Sequence, residues 1–361
     1  NTIRHTGASS DAITLAADGK CAVTGSTVTA DTGKFTNLSN RNLIINGAMQ
    51  VAQRSTATVQ EEGYKTVDRF QMGHSGEDED AIQSQHALTS SDTGPWEKGF
   101  RNSYHIQNGN QTASDAGDGF YVTTAIEAQD IANSGWDYTS ASSYVTLSFW
   151  VKSSVARAYY IRLYVEDGTA KNYAMQTPSL SANTWTKVTK TIPGNSNIQI
   201  DNNNGLGMSI QWSLYRGTDH TDSGVSLNTW ANHAGGSKTP DDTDTFWRAD
   251  NATFEITGVQ LEVGDVATEF EHRSYGDELA RCQRYYWQET GITFFLYQYN
   301  SSHKQIRIQH PVPMRATPTE TLTGSGITAD SETNQCYSAY AASAYDGSNF
   351  FYSAVKFSAE L

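Results

Sequence analysis

Short runs of alternating apolar and polar residues recur along the middle of the chain. The runs occupy 146–151, 158–165, 185–192, 207–215 and 253–261. An alternation of period two is typical of a β-strand with one buried face. Turn residues separate the runs, with Gly168 after the second and Pro193-Gly194 after the third. Several strands of this length with turns between them predict a β-sandwich or barrel.

The composition points to the same fold class. Only 18% of the residues are charged and 11% are aromatic, and Ser, Thr, Asn and Gly are abundant. So many aromatic residues exclude a disordered chain. Few charges and many hydroxyl and aromatic side chains favour pleated sheets joined by polar turns. The sequence therefore predicts an all-β protein.

The same patterns divide the chain into four segments. Residues 1–40 have too few apolar positions for a core and are predicted to be an N-terminal connector. Residues 41–270 are predicted to form a β-sandwich or barrel, and 290–361 a smaller C-terminal β domain. Between them, 271–289 should contain a short linking helix, because Ser274 precedes Asp277 and Glu278 in a capping arrangement.

Charge and cysteine content exclude several function classes. The formal net charge is −14, with 25 basic and 39 acidic residues. An acidic chain of this kind is a poor ligand for nucleic acid, and no apolar stretch is long enough to predict membrane insertion. Cys21, Cys282 and Cys336 lie far apart, which predicts neither a disulfide framework nor a zinc site. The first residue is Asn1, so we expect a fragment of a longer polypeptide.

Several motifs resemble a family of phage tail-fibre and virion structural proteins common among marine and cyanobacterial phages. They are 9–15 (SSDAITL), 42–54 (NLIINGAMQVAQR), Tyr64 with 68–70 (DRF), 147–154 (LSFWVKSS), 256–264 (ITGVQLEVG), 270–273 (FEHR) and 282–286 (CQRYY). The resemblance covers about 5–290 and implies a carbohydrate-binding-module-like jelly-roll whose first and last strands are close together. It also implies that Asn46, Asp68, Gly258 and Glu262 have structural roles.

The resemblance also implies a function and partners. A tail fibre that assembles in the bacterial host cytoplasm would be part of the virion, a homotrimer attached to other phage tail proteins. Its predicted function is adsorption to the host surface, through a polysaccharide or a surface protein, and not enzymatic catalysis. Two alternatives remain open: a purely architectural spacer of the tail, and a tailspike-type depolymerase, which would need two carboxylates in a cleft.

Aromatic residues in loops are the candidate sugar-binding residues. Pyranose rings stack on aromatic faces, and loops on a rigid sandwich commonly carry binding sites. The long polar loop 216–245 is one such segment. The candidates are Trp136, Tyr138, Trp230, His233 and Trp247. By contrast, Trp150, Trp185 and Trp212 lie within alternating strands and are predicted to be core residues.

Acidic loops provide candidate metal ligands. Asp241, Asp242 and Asp244 are predicted to bind a structural Ca²⁺, because calcium prefers several carboxylate and carbonyl oxygens. The segment 201–205 resembles the start of an EF-hand loop, but Trp212 stands where the bidentate Glu is required. Apart from this calcium, no cofactor is predicted.

Overall fold

A computed structural model describes the backbone of residues 2–3, 13–15, 21–23, 40–295, 297–298, 303–323, 328–342 and 349–361. It describes the side chains of 40–290, 304–321, 330–340 and 355–361. The chain divides into two units, Asn1–Ser39 and Asn40–Leu361. Of the helices in these ranges, none has the length and apolarity of a membrane span.

The described residues of the first unit form three short strands. They are β1 (Thr2–Ile3), β2 (Ile13–Leu15) and β3 (Cys21–Val23). They pair antiparallel in the order β1-β2-β3. This small sheet lies within the segment predicted as the connector.

The second unit begins with a two-sheet sandwich. Its strands are β4 (Phe70–Ser75), β5 (Ile82–Ala87), β6 (Asn102–Gln107), β7 (Gly119–Glu127), β8 (Tyr144–Ser153), β9 (Tyr160–Val165), β10 (Lys171–Gln176), β11 (Thr186–Pro193), β12 (Leu206–Arg216), β13 (Trp230–Asn232) and β14 (Thr253–Val263). One sheet has six strands in the order β13-β10-β9-β12-β7-β4, and the other has five in the order β11-β8-β14-β6-β5. A 3-10 helix (Trp96–Lys98) and a short helix, α1 (Ala128–Ala132), interrupt the strands.

The alternation along each strand decides which side chains form the core. In β9, Ile161, Leu163 and Val165 are fully buried between the sheets, so the intervening side chains face outwards. Trp212 of β12 is also fully buried, as predicted. The all-β sandwich predicted from the sequence is confirmed.

The prediction that Trp150 and Trp185 belong to this main core is wrong. They are only partly buried, and they pack in a small second cluster with Leu88 and Phe100. Trp150 lies on the outer face of the five-stranded sheet, where Gly94 packs so closely that a Cβ there would lie 2.6 Å from its ring. Alternation places a side chain on one face of a strand, and here the outward face is covered by a loop.

The segment before β4 closes the sandwich against β14. Leu43 donates its N–H to the Leu261 carbonyl and Val259 donates to the Gly47 carbonyl, each over 2.9 Å. A Cβ on Gly47 would lie 2.0 Å from the Val259 carbonyl oxygen, so only glycine fits. Asn46 adopts a left-handed φ of 59°, and its side-chain amide bonds the backbone at Val51 and Asp68. The first and last segments of the sandwich are therefore adjacent.

The other motif residues also make structural contacts. Asp68 accepts hydrogen bonds from Gln53, and Glu262 accepts from both the N–H and the hydroxyl of Thr268. Gly258 has a φ of 62°, and a Cβ there would lie 2.6 Å from the Phe100 ring. These contacts hold loops against the sandwich, which is a structural role.

The helix predicted after the sandwich is present as α2 (Tyr275–Gln283). The hydroxyl of Ser274 accepts the N–H of Asp277 over 3.2 Å, which caps its first turn. Glu278 on the buried side accepts the N–H of Asn46 over 2.5 Å. The helix is therefore fixed to the opening segment of the sandwich.

After the helix, the part of the chain that the structure describes forms two antiparallel sheets. Their strands are β15 (Tyr286–Phe295), β16 (Tyr297–Gln298), β17 (His303–Gln309), β18 (Thr319–Thr323), β19 (Thr328–Glu332), β20 (Cys336–Ala342) and β21 (Asn349–Ser358). The orders are β15-β21-β18 and β16-β17-β20-β19. A small core between them includes Trp287, Met314, Tyr337 and Phe357.

Buried charged groups connect these sheets to the sandwich. Arg69 is buried, pairs with Glu360, and lies 3.4 Å from the centre of the Tyr285 ring. Glu127, also fully buried, accepts two hydrogen bonds from Arg284 and one of 2.6 Å from the Tyr285 hydroxyl. Removing one partner of such a buried pair leaves an unpaired charge, so these contacts tie the two parts together strongly.

Replacing Gly47 should show how much the contact between the opening segment and β14 contributes to stability. We expect Gly47→Ala to lower the free energy of unfolding by about 2–3 kcal/mol, because its methyl group would overlap the Val259 carbonyl. Urea denaturation measures the change. Gly276→Ala in α2 is the matched control: nothing lies within 4 Å of its Cβ, and it should raise stability by up to about 1 kcal/mol. Equal effects of the two substitutions would contradict the role given to Gly47.

Candidate functional site

The outer face of the six-stranded sheet carries aromatic and polar side chains. In β9 the outward residues are Tyr160, Arg162 and Tyr164, and both tyrosine rings are partly exposed. Tyr160 and Tyr121 of β7 both pair with Ser213 of β12, so their backbones lie two strands apart, about 10 Å. Together they form a polar surface with aromatic faces, which we call the tyrosine face.

The loop between β12 and β14 lies against one end of this face. Asn172 of β10 donates its side-chain amide to the Lys238 carbonyl over 3.0 Å. His233 donates its N–H to the Ala170 carbonyl, and its ring lies 4.9 Å from the ring of Tyr164. The long loop predicted as a binding segment therefore packs beside the tyrosine face.

Five basic side chains meet where the loop crosses the sheet. This basic cluster consists of Arg162, Arg216, His220, His233 and Lys238. The Nη2 of Arg162 lies 3.2 Å from Nδ1 of His233, and the ammonium of Lys238 lies 3.2 Å from Nδ1 of His220. In each pair the cation donates and the imidazole Nδ1 accepts, which requires the histidine to be neutral at that nitrogen.

The two arginines in the cluster bond neutral groups. Arg162 donates to Asn172, whereas Arg216 donates to Gln211 and to the Ser213 hydroxyl. Their exposed fractions are only 7% and 3%. Among the side chains that the structure describes, neither guanidinium has a carboxylate within ion-pairing distance. The guanidinium of Arg162 lies 4.6 Å from the centre of the Tyr164 ring and that of Arg216 lies 5.1 Å from the centre of the Tyr121 ring. Both are therefore buried cations whose described partners carry no negative charge.

This environment lowers the pKa values of the cluster. Burial, followed by Arg216 and Arg162, lowers the pKa of Lys238 to about 8. Burial lowers the pKa of Arg216 to about 10, and burial together with Arg216 lowers the pKa of Arg162 to about 10. Burial and neighbouring cations also lower the pKa of His220 and His233. Positive charge is therefore costly here in the absence of an anion.

A cleft of about 340 Å³ adjoins the cluster. Its wall includes Asn172, Asn232, Ser226, Thr229 and Asp222. Asn172 is shared, because the same side chain bonds both Arg162 and the Lys238 backbone. Amides and hydroxyls in a concave site are groups that orient a polar ligand, and the tyrosine face beside it offers rings for stacking.

Two of the predicted sugar-binding residues are core residues. Trp136 and Trp247 are only 3% and 1% exposed, so the prediction that their rings are available for a ligand is wrong. Each indole N–H is satisfied internally, by the carbonyls of Ser143 and Ala113 respectively. A tryptophan in a polar loop can be buried when the backbone accepts its N–H.

The other three predicted residues lie in two places. Tyr138 packs against Trp136 beside the core, and Trp230 donates its indole N–H to Pro193 and packs on Tyr173. Both are partly buried at the edge of the main core. Of the five predicted residues, His233 is the one that the structure brings to the tyrosine face.

The predicted calcium ligands do not share a site. Asp242 is paired with Arg157, Asp241 accepts from Thr221, and Asp244 accepts from Ser114. The described side chains contain one group of three metal-binding residue types close together, and it does not include these aspartates. The three carboxylates therefore do not form the predicted ligand set, because each one bonds a different neighbour.

That group consists of His86, His105 and Glu255 on the five-stranded sheet. Glu255 is nearly fully buried, accepts from Ser103 over 2.7 Å and pairs with Lys152 over 2.9 Å. The nearby His105, whose Nδ1 lies 3.7 Å from the carboxylate, and these bonds hold the pKa of Glu255 well below its usual range. The ammonium of Lys152 already neutralises the carboxylate, so this group is an ion-pair network.

The sequence pattern alone could have identified part of the tyrosine face. In 158–165 the apolar residues Ile161 and Leu163 alternate with Tyr160, Arg162 and Tyr164, which places the latter outside. No local pattern brings Arg216 or Lys238 to Arg162, because that contact depends on the path of a long loop.

Comparisons with known proteins give only remote likenesses. No family model matches the chain, and no curated protein matches it. Among solved structures, the enzymatically active domain of tailspike protein 4 of bacteriophage CBA120 matches 62% of this chain with 12% identity and a TM-score of 0.31. The chain spans 21% of that tailspike chain.

Two carbohydrate-binding modules are similarly distant. A family 4 module (CBM4) matches 61% of this chain and 98% of its own, with 13% identity and a TM-score of 0.31. A family 11 module from Clostridium thermocellum, in complex with a β-1,3-1,4-mixed-linked tetrasaccharide, matches 60% and 99%, with 12% identity and a TM-score of 0.25. Likenesses this remote assign no ligand to the chain, so the site has to be argued from its own side chains.

The lowered pKa of Lys238 predicts a pH dependence of stability. Below about pH 8 this lysine is charged in both the folded and unfolded states, and its burial opposes folding. Between about pH 8 and 10.4, the ordinary pKa of lysine, the folded state has released the proton and the unfolded state has not. The free energy of unfolding of the wild type should therefore rise with pH relative to Lys238→Gln across this window.

Urea denaturation of the two proteins between pH 7 and 9.5 measures this difference. Lys187→Gln removes the same charge from an exposed position on the five-stranded sheet and is the control. A constant difference between wild type and Lys238→Gln over this range would contradict the burial of an unneutralised ammonium.

Proposed function

We propose that this chain is a non-catalytic attachment module that binds glycans at the tyrosine face and the adjoining cleft. The observation that carries the proposal is the arrangement of Tyr160 and Tyr164 beside amide, hydroxyl and cationic donors. Sugars need this combination, because the ring faces stack on aromatic side chains while the hydroxyls exchange hydrogen bonds.

The lining of the cleft supports binding without hydrolysis. Glycoside hydrolysis ordinarily uses two carboxylates about 5–10 Å apart. Among the described side chains that line this cleft, Asp222 supplies the one carboxylate. We therefore propose reversible, non-covalent binding, and we place the depolymerase alternative second.

The biological setting that we propose is a phage tail fibre that adsorbs to a bacterial surface. The motifs 42–54 and 256–264 support it, because they resemble the opening and closing signatures of such fibres and pack together here. We further propose a homotrimer in the virion, in which three weak sites per fibre combine into high avidity. Light scattering should then give three times the mass of the chain, and a stable monomer would contradict the trimer.

Loss of one aromatic face should weaken glycan binding. We expect Tyr164→Ala to reduce affinity for a retained glycan about tenfold, the effect of losing roughly 1.4 kcal/mol of contact. Tyr275→Ala is the matched control, because Tyr275 is 57% exposed on α2, outside the tyrosine face. A glycan array identifies the ligand, and calorimetry with that ligand gives the affinities.

The same array separates the alternatives. A chain that retains no bacterial surface glycan would be a spacer, and shortening of the bound polysaccharide on size exclusion would establish a depolymerase. Equal affinities for wild type and Tyr164→Ala would place the glycan site elsewhere on the molecule.

A further inference from the structure

We propose that the basic cluster holds the acid group of a negatively charged sugar, so that the glycan recognised at the tyrosine face is an acidic one. The acid group is a carboxylate, sulfate or phosphate attached to the sugar ring. This inference rests on the proposed function for the sugar part of the ligand, whereas the anion site itself is argued from the cluster alone.

Two arginines of the basic cluster are buried without a counter-charge among the described side chains. Arg162 and Arg216 are almost completely buried, and charged side chains are rarely buried unless they are paired. Asp242 acts on Arg216 only over a longer distance, because its carboxylate bonds Arg157. An incoming anion would supply the counter-charge that the described side chains do not.

The described hydrogen bonds leave several N–H donors of the basic cluster available to a ligand. The described hydrogen bonds engage Nε and Nη2 of Arg162 and of Arg216, and none engages Nη1 of either. The Lys238 ammonium has three donors, of which His220 accepts one. A carboxylate or phosphate with several acceptor oxygens matches this set, since charge-assisted bonds from Arg and Lys are the strong ones.

The net charge of the whole chain is opposite in sign to that of the basic cluster. With a net charge of −14, the chain as a whole repels anions. A site that concentrates Arg162, Arg216 and Lys238 is therefore a local exception to the overall field. Such an exception, placed beside a cleft, can hold one acid group of a ligand at one point.

The cleft lies directly beside the basic cluster. Asn172 lines the cleft and also bonds Arg162, so a sugar ring in the cleft lies next to the cluster. Ser226 and Thr229 on the opposite loop would meet its hydroxyls. The ring and its acid group would thus occupy adjacent parts of one site.

Monosaccharides test the anion site independently of any polymer. The probes are glucuronate, glucose 6-sulfate and glucose 6-phosphate, each compared with glucose at the same ionic strength by thermal unfolding. We expect at least one acidic probe to raise the Tm of the wild type while glucose does not, because a ligand that binds only the folded state stabilises it. The three probes distinguish the chemical sources of the acid group.

Polysaccharides then test the complete site. Polygalacturonate is compared with its carboxyl-reduced form, and dextran sulfate with dextran, by calorimetry. We expect an acidic polymer to bind at least about tenfold more tightly than its neutral partner, since a charge-assisted bond contributes about that factor. Lys238→Gln should remove most of this preference, and Lys238→Arg, which keeps the charge, should restore it.

Lys187→Gln controls for the general effect of charge, and it should change these affinities less than about twofold, because an exposed charge acts weakly over such a distance. If no acidic monosaccharide raises the Tm and acidic polymers bind no better than neutral ones, the inference is overturned. The proposed function survives that result if the array still shows a neutral glycan. Conversely, a Tm shift that Lys238→Gln abolishes would support the anion site even where the array shows no glycan.

Discussion

The backbone of the opening segment must lie directly against β14, and the rest of the second unit depends on that contact. Gly47 leaves no space for a side chain beside Val259, and Asn46 takes a left-handed conformation to turn the chain there. The Asn46 amide then bonds the backbone at Asp68. The next residue, Arg69, pairs with Glu360 near the end of the chain. One close approach therefore positions the start of β4 and the C-terminal sheets.

Buried arginines are used in two different ways in this molecule. Arg69 has a carboxylate partner in Glu360 and an aromatic face in Tyr285, as a structural charge requires. Arg162 and Arg216 are buried to a similar degree and also lie over tyrosine rings, but they bond neutral groups and lie close to Lys238. The first arrangement stabilises the fold without further help. The second one opposes folding unless an anion neutralises it, and for that reason we assign it to ligand binding.

The sequence predicted the features that depend on local pattern. The alternation in 253–261 predicted a strand, and the Ser274 cap predicted α2. It did not predict which tryptophans are accessible, because backbone carbonyls satisfy the indole N–H of Trp136 and Trp247 and allow both to be buried in loops. The first outcome depends on a local pattern of residue types, whereas the second depends on which backbone carbonyls the fold brings to each indole N–H.

The basic cluster was beyond sequence analysis for a related reason. Arg162, Arg216 and Lys238 come from β9, the end of β12 and the following loop, and no spacing rule connects them. Part of the tyrosine face could be predicted from the sequence, because Tyr160 and Tyr164 alternate with core residues of the same strand. Sites formed by the path of a long loop require the fold, whereas sites on one face of a strand do not.

A crystal structure of the chain with an acidic oligosaccharide, such as trigalacturonate, tests the account most directly. The account predicts a sugar ring in the cleft at Asn172, with a carboxylate in contact with Lys238 and an arginine of the basic cluster. A well-ordered oligosaccharide on the five-stranded sheet or on the C-terminal sheets, with the basic cluster unoccupied, would contradict it.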